Sequence, residues 1–127
     1  MDGEPQDLPG ADAVITWFGK WPSFHDAEVL SVHIDRAHAM SSLRIQTWNL
    51  SDATEDSGHF IRERVATVVF EFSGITWIRL EGEDADRQNV IAGLRLDTTA
   101  DGYRLELAPC YGLAGEVVAQ QLRVRLE

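Results

Sequence analysis

A single cysteine, Cys110, and a single lysine, Lys20, stand in a chain of 127 residues. One thiol cannot close an internal disulfide, which agrees with a reducing compartment and predicts a cytoplasmic protein. The ten arginines are scattered among 21 acids, and the formal net charge is −10. That balance excludes a nucleic-acid backbone as partner, because neutralising phosphates takes clustered Lys and Arg. No stretch approaches the roughly 20 apolar residues of a membrane-spanning helix. The acidic start at Met1–Glu4 has no basic segment leading into an apolar run, so no secretory signal is expected. Also missing are a Gly-x-Ser-x-Gly elbow, a phosphate-cradling glycine loop, a dinucleotide fingerprint and any Cys-x-x-Cys or His-x-x-x-His frame. The usual signatures of hydrolase, nucleotide and zinc chemistry are therefore not in the chain.

What is present is apolar alternation. With four Trp and five Phe the chain has the composition of a folded protein, and its length suits one domain. Residues 1–10 hold two prolines, two glycines and three acids and read as a flexible lead-in to a single mainly β domain over 11–127. A short helix is expected from Asp12, which can cap it. Val14, Ile15 and Phe18 fall on one stripe, and Gly19 stands where a left-handed cap is wanted. Pro22 pushes Trp21 toward extended geometry and ends the helix.

Strand patterns follow. In 28–35, Leu30, Val32 and Ile34 share one face while Ser31, His33 and Asp35 share the other. Residues 42–50 alternate around Leu43 and Ile45 with Trp48 opposite, and Ser51–Gly58 reads as an acidic loop. Ala66, Val68, Phe70 and Phe72 define the clearest strand; Ser73-Gly74 predicts a turn before another strand over Ile75–Leu80. A second acidic loop spans 81–86. Val90, Ala92, Leu94 and Leu96 are placed together, and Asp101-Gly102 predicts a hairpin into Tyr103, Leu105 and Leu107. Cys110–Gly115 reads as a loop, and Leu122, Val124 and Leu126 alternate to the end. The expectation is an antiparallel sandwich or strongly curved sheet of about seven strands with one short N-terminal helix.

Three sets of residues bear on function. Trp21, Pro22, Phe24, His25, Asp26 and Glu28 crowd aromatics, a histidine and acids into one segment. A metal or proton-transfer site there requires His25 to meet Asp26 and Glu28, which lie on the opposite face of a strand unless the backbone turns. The structural alternative makes Trp21 and Phe24 anchors and the polar groups caps. His33 with Asp35 suits ordinary solvated surface. Cys110 has no base or positive setting nearby in sequence to activate it. The acidic loops carry Asp52, Glu55, Asp56, Glu83 and Asp84; together with an exposed aromatic such as Trp48 or Trp77 they suit either solvated turns or the rim of a basic partner.

The stretch Phe18-Gly19-Lys20-Trp21-Pro22-Ser23-Phe24-His25-Asp26-Ala27-Glu28-Val29 resembles the opening motif of the immunity protein 50 family. Ile78-Arg79-Leu80-Glu81-Gly82 with Gln88-Asn89-Val90-Ile91, and Cys110-Tyr111-Gly112-Leu113-Ala114-Gly115-Glu116, are similar to later pieces of such sequences and follow in the same order. The pattern has an aromatic or histidine just before Gln88, where this chain has Asp86-Arg87. The resemblance implies a mainly β bacterial protein of a polymorphic-toxin system, neutralising a toxin domain by stoichiometric binding. It supplies no catalytic residues; neither a cofactor nor a metal is expected, and the net charge adds the expectation of a basic toxin. The toxin-contact candidates are Trp48, Asp52, Glu55, Asp56, Glu83 and Asp84. The reading from another class is a small metal-dependent enzyme or ligand-binding domain centred on His25, Asp26 and Glu28.

Overall fold

Alternation over β3 (Phe60–Glu81) is sustained enough to make one strand of 22 residues where two were expected. Val68, Phe70 and Phe72 are buried on its inner side, as their spacing requires. At Ser73-Gly74 the chain does not turn away. Gly74 adopts φ +66°, and pairing with the neighbouring strand continues from Ser73 opposite Gln121 to Ile75 opposite Ala119. Thr76 is then an extra residue between Ile75 and Trp77, a bulge that bends the strand without breaking it. The glycine that signals a turn in sequence here serves a bend.

The computed structural model describes residues 8–35, 40–54, 60–82 and 89–127. Within them α1 (Ala11–Phe18) precedes β1 (Glu28–His33), β2 (Ser41–Thr54), β3, β4 (Asn89–Thr98), β5 (Tyr103–Tyr111) and β6 (Ala114–Leu126). All pairings are antiparallel, in the order β1-β2-β3-β6-β5-β4, and β1 meets β4 to close a barrel. The protein is mainly β, and the curved-sheet expectation holds, with six described strands because two predicted ones are the halves of β3. Closure explains the curvature: a small sheet that coils far enough meets its own first strand and loses its edges.

Several predicted boundaries move for the same reason. Ser51–Thr54 extends β2 into the expected loop, and β5 and β6 run so far that only Gly112 and Leu113 separate them. The hairpin at Asp101-Gly102 forms as expected, with Thr99 N–H donating to Gly102 O at 2.8 Å. In β1 the register slips between Val29 and Ser31, so Leu30 is a bulged, exposed residue and not a core one; Val29 is buried instead. In β4, Ala92 is extra between Ile91 and Gly93, which leaves Ala92 exposed and Ile91 fully buried.

The helix begins one residue earlier than its expected cap. Gly10 is the N-cap, at φ +87°, and Asp12 sits in the first turn, where its charge complements the helix dipole. A side chain at Gly10 would place Cβ 1.8 Å from Val124 O, because Pro9 O accepts a hydrogen bond from Val124 N. Glycine is needed there for close approach. Gly19 caps the other end in the left-handed conformation, as expected. Ala11, Val14 and Phe18 join one apolar cluster to which all six strands contribute, and Leu8 is buried in it as well.

Candidate functional site

Residues 21–28 are held by the seam that closes the barrel. Strand pairing between β1 and β4 covers two residue pairs, Glu28 with Val90 and Val29 with Asn89. The motif prolongs it: Asp26 N–H donates to Ile91 O at 2.9 Å and Ile91 N–H donates to Ala27 O at 3.0 Å. Two residues in the left-handed region, Phe24 (φ 59°) and Asp26 (φ 62°), produce the turn that makes this possible. Ala27 N–H closes it by donating to Phe24 O at 3.1 Å.

The same turn sorts the side chains. Pro22, Phe24 and Ala27 are buried, and Trp21 and Phe24 form a three-ring cluster with Phe70, centroids 5.5–6.2 Å apart and steeply tilted. His25 and Asp26 are thrown outward. His25 Nδ1 lies 3.0 Å from Ala92 O, a carbonyl that the β4 bulge presents; the carbonyl can only accept, so Nδ1 carries the hydrogen. His25 Nε2 is 3.6 Å from Asp26 Oδ2, and both side chains are more than half exposed.

The backbone therefore does turn so that His25 and Asp26 meet, but Glu28 goes into β1 and does not join them as a third ligand. Among the described residues no group of three His, Cys, Asp or Glu side chains converges. A two-donor pair in open solvent is not a transition-metal set, which takes three or four ligands. A groove of about 360 Å³ between Pro9, Met40, Tyr103 and residues 120–123 has no histidine, carboxylate or cysteine in its lining. The buried rings hold the motif to the core, while His25 and Asp26 face solvent.

Two exposed tryptophans remain. Trp77, next to the β3 bulge, is 55% exposed and donates its indole N–H to Glu116 at 3.1 Å. Arg104 meets the same carboxylate at 3.5 Å. The surrounding outer face is a mosaic of such pairs: Glu71 with Arg123 and Arg125, Arg79 with Glu81, Arg95 with Asp97, and Arg44 with Glu127. Trp17, on the outer side of α1, is 42% exposed and has the Arg64 guanidinium 5.5 Å from its ring centroid.

The Arg64 position has its own cause. Thr47 pairs with Ala66 and Asn49 with Glu63, so Arg64 and Val65 of β3 stand opposite Trp48 alone. This is a bulge, and Arg64 occupies it at φ 53°, where glycine is the usual residue. Val65 is pushed out and is 49% exposed. Trp48, one of the contact candidates, is half-buried in β2 and has polar or ring partners of its own. The structure thus brings Trp48 to a place that sequence reasoning passed over, since neither Arg64 nor Val65 carries a signal of a bulge.

A family model described as immunity protein 50 matches residues 10–125. The chain belongs to the immunity protein 50 family. The match runs from the Gly10 cap to the penultimate residue of β6, so the closure motif, both exposed tryptophans and the Arg64 bulge all fall within the family region. Comparison with curated proteins gives no match, and neither does comparison with solved structures. Of the other contact candidates in this immunity protein, Asp52 lies in β2 with its side chain outside the described residues, and Glu55, Asp56, Glu83 and Asp84 lie outside them altogether. Among the described residues no helix is long and apolar enough to cross a membrane.

Proposed function

We propose that this protein neutralises a cognate bacterial toxin domain by one-to-one binding in the cytoplasm, without catalysis. The observation that carries the reading is the immunity-family match across residues 10–125. The described surface supports it: exposed aromatics such as Trp17 and Trp77 are the usual anchors of a protein interface.

The net charge of −10 would draw a basic toxin by long-range attraction and raise the association rate. Because the described outer face is a mosaic of paired charges, this pull is assigned to the acid-rich segments with Asp52, Glu55, Asp56, Glu83 and Asp84. Trp48 is the aromatic anchor beside the first of them. Co-expression of the chain with the toxin domain encoded beside it tests the reading. Restored growth with a one-to-one complex on size-exclusion chromatography is the expected result; growth arrest despite soluble protein would sink it.

A further inference from the structure

Among the cations whose side chains are described, six arginines meet a carboxylate of this chain, whereas Arg64 and Lys20 meet no described one. One lies on an exposed ring and the other is close to it in sequence. Arg64 stacks on Trp17, and Lys20 follows Trp17 by three residues, just past the Gly19 cap. Val65, forced outward by the bulge, adds apolar surface beside Arg64. The patch is thus an aromatic and an aliphatic side chain with two positive charges that no described carboxylate meets, on a chain whose net charge is −10.

The backbone gives the patch a second distinction. A left-handed arginine costs stability that glycine would not, and such strain is kept where the side chain is needed. Among the described residues Arg64 meets no carboxylate of this chain. Its guanidinium lies over a ring and the residue is exposed, an arrangement suited to an interface arginine.

We propose that Trp17, Arg64, Val65 and Lys20 dock an acidic segment of the toxin, an assignment that rests on the immunity reading. Carboxylates of the segment meet Arg64 and Lys20, and an apolar side chain covers Trp17 and Val65. Charge complementarity selects this occupant. A basic segment would be repelled, and a neutral one would bury the guanidinium without a partner. The long-range field and the local patch then have opposite signs, which fixes the orientation of a toxin that is basic as a whole. Trp77 is the contrasting case, since its neighbouring charges are already satisfied within the barrel wall.

The test is calorimetric titration of the toxin domain encoded beside this chain into wild type, Arg64→Gly, Arg64→Glu, Trp17→Ala and Trp77→Ala. Arg64→Gly keeps the bulge and removes its strain, so it is expected to melt no lower than wild type while binding roughly tenfold or more weakly. Arg64→Glu should lose more, and recover when the opposing toxin acid is changed to arginine. Trp17→Ala should weaken binding and Trp77→Ala should not. Wild-type affinity in both Arg64 variants overturns the proposal, as does a loss of binding confined to Trp77→Ala. If wild type itself neither binds nor rescues growth, the immunity reading fails and takes this assignment with it.

Discussion

Truncating Phe24 to alanine probes the closure seam directly. The ring is 1% exposed and lies 5.5 Å from Trp21 and 5.8 Å from Phe70, centroid to centroid. Buried Phe→Ala changes cost ~3–5 kcal/mol, and the loss of two aromatic partners argues for the upper half of that range. With an unfolding entropy of ~2.1 cal/mol/K per residue, a chain of this length loses ~4 °C of Tm per kcal/mol, so a drop of roughly 15 °C is expected. The assay is urea unfolding followed by Trp fluorescence and far-UV circular dichroism, with a thermal melt. A drop below ~4 °C would mean that Phe24 does not anchor the barrel. The backbone supplies an internal control. Since Phe24 sits at φ 59°, Phe24→Gly relieves strain that Phe24→Ala retains, and the glycine variant should be the more stable of the two by ~1 kcal/mol. The opposite order would refute the left-handed turn. Growth rescue by the folded fraction should persist, because the ring has no exposed face to offer a toxin.

Gly115→Ala should cost roughly 3 kcal/mol or more, because its Cβ would fall 1.8 Å from Arg79 O at φ +141°; soluble yield and urea midpoint read it, and a wild-type midpoint would refute the close β3–β6 approach. His25→Ala removes an exposed hydrogen bond to Ala92 O and should cost only ~0.5–1.5 kcal/mol with metal content unchanged; stoichiometric zinc in untagged wild type, lost in the variant, would revive the metal-site reading. Hydrogen bonding from Arg44 holds the Glu127 carboxyl below its ordinary value of 4.5. A depressed carboxyl stabilises above its unfolded pKa and loses that contribution as pH falls through the folded one. Wild type should therefore exceed Glu127→Gln slightly near neutrality, with the gap narrowing below about pH 4.5; a gap that widens in acid would contradict the ion pair. Changing Asp52, Glu55, Asp56, Glu83 and Asp84 to Ser or Asn should slow toxin association and flatten its salt dependence, whereas unchanged association at low salt would refute steering.

Local pattern carried much of the fold. The capped helix, the inward set Val68, Phe70 and Phe72, the run Leu122, Val124 and Leu126, and the Asp101-Gly102 hairpin all follow from side-chain periodicity and turn chemistry within a few residues. The anchoring role of Trp21 and Phe24 was legible as one of two alternatives. The functional surface was less so. Trp48 was singled out, but its neighbours Arg64 and Val65 were not, because an arginine in a left-handed bulge leaves no mark that distinguishes it from any arginine on a strand.

Tertiary structure decided the rest, and for one reason. Whether Leu30, Ala92 or Val65 faces in or out depends on where a strand takes an extra residue, and that depends on how six strands must coil for Glu28 to reach Val90. Alternation specifies which residues share a face only while the register is unbroken. Closing a small barrel breaks it at several places, and each break re-aims a side chain. Composition and periodicity determined a helix-capped, acidic, mainly β chain. Closure determined that two predicted strands are one, that His25 meets the Ala92 carbonyl, and that Arg64 stands over Trp17.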